Sequence, residues 1–421
     1  MVKTIITFII VFGILVIVHE FGHFVMAKRA GILVREFSIG MGPKLVDLQR
    51  GGTTYTLRLL PVGGYVRMAG MDEQEDDLKT GQPITIITNE QGEVVTIDTT
   101  NNRNTNSGIP LEVTNFDLQD ELFVEGFENG DEETTRRFSI NHDANIIESN
   151  GTKVRIAPRD VQFQSATVLQ RILTNVAGPV NNFILAIIVF AIIGVVQGAV
   201  PTNSNQIKVI PDGVARKAGL KNNDRILAVD EAKINNWGDL SKAISKNPGQ
   251  KLDLTVQRHE QKKQIMLTPQ TVKQGNRKVG MIGIESTTSS KLSDRLLYGF
   301  TGTWNMAKSL FGAIGQMFHG FSLNDLGGPV AIYATTSAAA KQGFVSVLTV
   351  LGFLSLNLGI VNLFPIPALD GGKLLLNIIE AIRRKPIKPE TENMITLVGF
   401  GLLMLLMILV TWNDIERYFI K

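Results

Sequence analysis

The fold class predicted by the sequence is a polytopic α-helical membrane protein with β-rich polar segments between its spans, and three observations carry it. Hydrophobic residues make up 44% of the 421 and charged residues only 19%, with a positive mean hydropathy. Four windows, 4–27, 172–207, 342–369 and 393–413, run without lysine or arginine, and a span needs about 20 apolar residues at about 1.5 Å each. The stretches between them turn polar and show strand-like alternation. The net charge of +3 gives no argument for a nucleic-acid partner. Cysteine is absent, which excludes a disulfide framework and any Cys-based zinc site or nucleophile.

Residues 1–30 hold the first span, with the core TIITFIIVFGILVIV. A cleaved signal peptide is the alternative; the apolar run is too long for one, and no A-x-A site follows it. Residues 31–70 come next. Over 28–67 the basic side chains Lys28, Arg29, Arg35, Lys44, Arg50, Arg58 and Arg67 face only Glu36 and Asp47, so this loop reads as cytoplasmic. Within it YTLRLLPVGGYVRM, 55–68, reads as strand, turn, strand. Residues 71–165 change character: over 72–133, seventeen acidic side chains face Lys79 and Arg103. Strand-like pieces such as ITIIT and EVVTI and the polar run NNRNTNSG at 101–108 make this a small β-rich cytoplasmic insert with a solvated acidic surface.

The second span, 170–200, has the core FILAIIVFAIIGVVQGA and carries the polar Asn181 and Asn182. Residues 203–285 alternate strand-like runs (IKVI, RILAV, KLDLTVQR, KQIMLTP) with Gly, Pro and Asn turns and a helical WGDLSKAI. Residues 286–341 form an extracytoplasmic or interfacial helical region in which Trp304 and several phenylalanines suit a membrane interface, although plain core packing serves them equally. The third span covers 342–372 and the fourth 392–413. The short loop between them carries Lys373, Arg383, Arg384, Lys385 and Lys388 and reads as cytoplasmic. Both termini and the 201–341 loop then face outside.

Inside the first span lies His19-Glu20-Phe21-Gly22-His23, the pattern H-E-x-x-H. On a helix, positions i and i+4 share a face, so both imidazoles reach one metal ion while Glu20 lies a little round the cylinder. Ionisable groups in lipid are costly, and they mark function. A catalytic zinc takes three protein ligands and leaves a position open, so the third ligand is another His or a carboxylate. His142, His259 and His319 lie in loops or polar segments and read as surface or satisfied residues. Asp370, in NLFPIPALDGG at 362–372, fits by depth. If span one enters near Thr4 or Ile5, His19 lies about 21 Å along it, less than about 10 Å from the cytoplasmic side of a core about 30 Å thick. Span three also runs inward, and Pro365 and Pro367 break it just before Asp370, irregular backbone that is tolerated where it lines a protein cavity.

Taken together, H-E-F-G-H at 19–23, A-G-P-V-N-N-F at 177–183, N-L-F-P-I-P-A-L-D-G-G at 362–372 and R-L-L-P-V-G-G-Y-V-R-M near 58–68 resemble, in order and over essentially the whole chain, the site-2 protease family of intramembrane zinc metalloproteases. The single loop domain, with its VARKAGL, NNDRILAVD and W-x-D-L segments, resembles a PDZ domain, as in the Gram-positive branch of that family. The resemblance implies four transmembrane helices, a membrane-associated β-hairpin dipping into the bilayer at 31–70, the cytoplasmic insert and one extracytoplasmic PDZ-like α/β domain, in a bacterial cell membrane.

It also implies Zn²⁺ on His19, His23 and Asp370, with Glu20 as general base and acid. Asn362 would offer an amide donor to the developing oxyanion, its alternative being a helix-packing hydrogen bond. The implied partners are the lipid bilayer and transmembrane substrates: anti-sigma factors, remnant signal peptides or lipoprotein signal peptides. Such a helix must unwind to be cut. Asn181 and Asn182 are expected to compete for its freed backbone groups, and Gly63, Gly64 and Tyr65 to hold it by strand addition. The PDZ-like domain either admits only trimmed substrates or binds a peptide tail, a β-rich spacer being the bland alternative. Two rivals from other classes remain, a non-catalytic PDZ-bearing membrane adaptor or chaperone and a transporter. Neither needs a glutamate between metal-spaced histidines.

Overall fold

The first apolar run folds as helix α1 (Val2–Arg29), and Lys28 and Arg29 in its last turn complement the negative end of the helix dipole. The structure, a computed structural model, describes residues 2–71, 78–100, 108–129, 134–274, 277–317, 320, 322–323, 326–385 and 387–417; His319 and residues 101–107 of the polar run lie outside them. The chain divides into two compact units, Met1–Val189 with Gly302–Lys421, and Phe190–Thr301.

In the first unit α1 leads into two long strands, β1 (Val34–Arg50) and β2 (Thr53–Met68). The two arms of 55–68, read as strand, turn, strand, do not pair with each other. Residues 36–39 lie between the two arms of β2: Glu36 pairs with Thr54 on one side and Arg67 on the other, and Ile39 with Leu57 and Gly64. Residues 44–50 pair with 53–58, so two bent strands make four arms in the order 44–50, 53–58, 36–39, 64–68. The bends fall at Gly40, Gly42 and Gly63, with φ of 88°, 84° and 83°, a region where a side chain would be strained. Glu36, 1% exposed, ties the arms together. It accepts hydrogen bonds from Thr56 Oγ1, from Arg58 Nη2 at 2.7 Å and from the Tyr65 hydroxyl at 2.8 Å, which is how a buried carboxylate is kept satisfied. Leu45, Val46, Leu48, Leu59 and Leu60 stay exposed and give this sheet an apolar tip.

The acidic insert folds as β3 (Pro83–Thr88), β4 (Val94–Asp98), β5 (Ile109–Asp117), β6 (Phe123–Glu128), β7 (Thr135–Ile147) and β8 (Lys153–Arg155). They pair in the order β4-β3-β5-β6-β7-β8, and β4 also pairs with β7, which closes the sheet. Ile86, Ile97, Leu111, Val124 and Ile146 fill it. Glu112 takes an outward position of the alternation between buried Leu111 and Val113, while Asp98 is itself buried. The insert is tied to the first sheet: Arg67 pairs with Glu148, Lys44 Nζ donates to Gly151 O at 2.8 Å, and Arg35 Nε donates to Arg155 O at 2.8 Å. Helix α2 (Val168–Gln197) follows.

The second unit holds β9 (Val200–Pro201), β10 (Ile207–Val209), the short α3 (Val214–Lys217), β11 (Arg225–Val229), β12 (Ala232–Lys233), α4 (Trp237–Ser245), β13 (Leu252–Arg258), β14 (Gln261–Leu267), β15 (Gln270–Gln274), β16 (Arg277–Met281), β17 (Ile284–Ser286) and β18 (Thr288–Ser289). The larger sheet runs β12-β11-β13-β14, with β10–β17, β15–β16 and β9–β18 as separate pairs. Leu240 and Ile244 of α4 are buried, and its start is capped by the Asn236 side chain accepting from Asp239 N. Asp224, 1% exposed, accepts two hydrogen bonds from Arg258 at 2.8 and 2.7 Å. Burial alone would raise the Asp224 carboxyl, but Arg258 and the Lys221 backbone N–H outweigh it and hold the group below the usual carboxylate range.

Helices α5 (Leu292–Met317), α6 (Pro329–Gln342), α7 (Phe344–Asn362), α8 (Asp370–Arg383) and α9 (Pro389–Ile415) complete the chain. Among the described residues four helices, α1, α2, α7 and α9, are long and apolar enough to cross a membrane. The expected third span is shorter than 342–372. It stops at Asn362, and Asp370 opens the separate helix α8. Pro365 and Pro367 lack the N–H groups a continuing helix needs, and Ala368 turns the chain with φ 73°. The region expected to be interfacial is partly core, because Ala307 of α5 packs with Ala186, Leu356 and Ile360 of α2 and α7.

Candidate metal centre

His19 and His23 stand one turn apart on α1, and Asp370 reaches them from the first position of α8. Asp370 Oδ2 lies 3.1 Å from His19 Nε2 and 3.4 Å from His23 Nε2, and the two Nε2 atoms are 3.3 Å apart. Ligand atoms about 2.1 Å from a tetrahedral zinc are about 3.4 Å from one another, so the three donors already have the spacing of three corners of that tetrahedron. Oδ2 has no hydrogen-bond partner among the described residues, and both histidines are buried. Two imidazoles and one carboxylate match the donor set of a catalytic zinc, and no other such cluster occurs among the described residues.

The loop that delivers Asp370 is held by close backbone contact. A Cβ on Gly371 would fall 2.2 Å from Phe364 O, and one on Gly372 2.4 Å from Ile366 O. Helix α9 crosses the same loop at Gly399, where a Cβ would meet Pro367 at 2.3 Å. Asn362 ends α7 with Nδ2 3.5 Å from His19 Nε2, at the edge of the donor triangle. Glu20 is half-buried beside the pair, within charge–charge range of His23, His19, Asp370 and Lys373.

Helix α2 supplies what sequence reasoning missed. A Cβ on Gly178 would lie 2.2 Å from His23 Nε2 and 2.8 Å from His19 Cε1, and one on Gly22 2.3 Å from Ala177 O. The two glycines let α1 and α2 touch backbone to backbone with both rings laid over Gly178. Their position in apolar helices, where glycine weakens the helix, was the available signal. Thr174 O accepts from His23 Nδ1 at 2.8 Å.

Of the residues expected to touch substrate, Asn181 and Asn182 are engaged inside the protein. Asn181 Nδ2 donates to Val18 O at 3.1 Å, and the fully buried Asn182 amide lies 3.0 Å from His19 Nδ1. Both side chains take part in the α1–α2 contact in this structure. Gly63, Gly64 and Tyr65 lie at the bend and outer arm of β2, with Gly64 close to α1: a Cβ there would meet Ser38 O at 2.7 Å and Val16 Cγ1 at 3.3 Å. His142 is far in sequence and character from the triad. It pairs with Asp160 at 3.0 Å and Asp143 at 3.1 Å, which raise its pKa.

Comparison with known proteins agrees with this centre. The profile of Peptidase family M50 matches residues 7–406. A protein named "Probable protease eep" from Enterococcus faecalis is 53% identical over 420 residues, covering 99% of this chain and 100% of that one. A "Putative zinc metalloprotease" of Streptococcus pyogenes is 49% identical over 422 residues, covering 99% of each chain. One from Lactococcus lactis is 44% identical over 436 residues, covering 100% of each.

Proposed function

The chain belongs to peptidase family M50, and from that premise we propose that this zinc metalloprotease cuts transmembrane segments of membrane proteins within the bilayer, near its cytoplasmic face. The observation that carries the reading is the tetrahedral spacing of the proposed zinc ligands, His19 and His23 in the C-terminal half of an apolar helix and Asp370 at the start of α8. When bound, zinc supplies a Lewis acid that polarises the scissile carbonyl and acidifies water. Glu20 takes the proton of the attacking water and returns it to the amide nitrogen as the peptide bond breaks. Asn362 donates its amide N–H to the oxygen that gains charge. The α1–α2 contact and the Pro-rich loop keep lipid away from these groups.

A helical substrate hides its peptide bonds, so cleavage needs an extended stretch. The outer arm of the four-arm sheet, 64–68, is an edge with Gly63, Gly64 and Tyr65 at its start, and we propose that it receives the unwound substrate as an added strand. Its test is disulfide capture. A Tyr65→Cys protein should trap a substrate carrying cysteine near the cut, while Leu48→Cys on the opposite edge should not, and equal capture at both would remove the idea. The basic loops favour a cytoplasmic active site with termini and the 203–285 PDZ-like domain outside. Anti-sigma factors and remnant or lipoprotein signal peptides are the proposed substrates. Deleting 203–270 should loosen substrate choice if the domain filters by size, and abolish cleavage if it binds tails.

The deciding experiment pairs zinc analysis of purified protein with cleavage of a reporter transmembrane substrate. Wild type should carry zinc and cleave. Glu20→Gln should carry zinc and lose cleavage by about 10²-fold or more. Normal cleavage by Glu20→Gln would end the reading.

A further inference from the structure

His19 turns Nε2 toward Asp370 and His23, and its other ring nitrogen, Nδ1, lies 3.0 Å from the side-chain amide of Asn182. Asn182 is completely buried, and its Oδ1 has no partner among the described residues. Its turn of α2 is fixed from α7, where Ser355 Oγ donates to Asn182 O at 2.8 Å. Resting on the ligand set proposed above, we propose that the Asn182 carboxamide is the positioning residue of His19, setting its tautomer and ring plane for metal binding through Nε2.

An imidazole nitrogen that gives its lone pair to a metal leaves the ring proton on the other nitrogen. At His19 that proton sits on Nδ1 and needs an acceptor. With its oxygen turned to the ring, Asn182 supplies one, and the same turn gives the orphaned Oδ1 a donor; the two ends of a carboxamide are similar enough in size that either orientation fits the site. His23 is served alike from the same helix. Its Nδ1 lies 2.8 Å from Thr174 O, an atom that only accepts, so Nδ1 carries the proton and Nε2 is left for a ligand bond. Helix α2 therefore orients both imidazoles, through a backbone carbonyl at one and a side chain at the other. Hydrogen bonds of this kind raise ligand basicity and fix ring orientation.

The test uses the full-length protein in detergent, with zinc affinity measured by competition against a chromophoric chelator. Asn182→Leu should weaken zinc binding by about 10- to 100-fold. Reporter cleavage should recover as zinc is raised, with KM unchanged. Asn182→Asp, which keeps an acceptor at the same reach, should hold zinc close to wild-type affinity. Wild-type affinity in Asn182→Leu, or an equal loss in Asn182→Asp, would overturn the proposal, as would a raised KM with zinc affinity intact, the mark of a substrate contact. If the leucine variant does not fold, Asn182→Ala takes its place under the same criteria. His19→Ala separates the two readings. Wild-type zinc affinity in His19→Ala overturns the ligand set itself, whereas its loss there beside intact binding in Asn182→Leu overturns only the role of Asn182.

Discussion

Gly178 leaves room for His23: a Cβ built on that glycine of α2 would lie 2.2 Å from His23 Nε2, the nitrogen that faces Asp370. The nearest atoms are the rings of the two histidines themselves, so a methyl group there displaces the chemistry before it displaces the fold.

Gly178→Ala is therefore expected to lower zinc affinity by at least about tenfold and cleavage by about 10²-fold, since a misplacement near 1 Å suffices. Gly13→Ala is the control, because nothing lies within 4 Å of a Cβ there. Zinc titration and reporter cleavage of the two proteins check it, and equal behaviour of both would contradict it.

Asn362→Ala should keep zinc and reduce kcat by about 10²- to 10³-fold, the effect of removing one oxyanion donor. If the side chain only packs the end of α7, kcat holds and thermal stability falls instead. Single-turnover cleavage beside thermal unfolding distinguishes the outcomes.

Asp224 gives the unit Phe190–Thr301 an acid limit. Its folded pKa lies below the unfolded value because Arg258 and the Lys221 N–H favour the charged form more than burial disfavours it. The stabilisation is therefore complete above the unfolded pKa of about 4 and is lost as pH falls through the depressed folded value. Amide protection across β11 and β13 should fall in wild type as pH drops below about 4. Arg258→Ala, which leaves the buried carboxylate with only the Lys221 N–H, should destabilise the unit by about 3 kcal/mol at neutral pH. A flat profile in wild type would refute the assignment.

Asp414, near the end of α9, caps a helix of a different part of the chain. Its Oδ2 accepts from Gly328 N at 2.9 Å and Ala331 N at 3.0 Å, the opening of α6. Asp414→Ala should cost about 1 kcal/mol of local stability. The amides of residues 328–331 should then exchange faster, with those of α7 unchanged; unaltered exchange at 328–331 would show that the cap contributes nothing.

Much of the site was legible in the linear chain because its chemistry is concentrated in short patterns. H-E-x-x-H needs only helical periodicity to put two imidazoles on one face, and Asp370 could be matched to it by counting depth along two apolar runs. The closed sheet of the insert was foreshadowed only as alternation, since which strands pair depends on contacts tens of residues apart. That the two arms of 55–68 do not pair with each other was hidden for a related reason. The arms carry the right turn, but Glu36 draws residues 36–39 between them through hydrogen bonds from Thr56, Arg58 and Tyr65, and a sequence pattern holds no trace of a partner on another strand.

By itself, the sequence determined the four apolar helices, the metal-binding chemistry and the acidic, outward-facing insert, because span length, helical spacing and burial of charge are local properties. The tertiary structure alone decided that Gly178 is the floor beneath both histidines and that Asn182 addresses His19 rather than open space. Those are relations between helices more than 150 residues apart, set by how closely two backbones approach and which buried polar atom is left needing a partner.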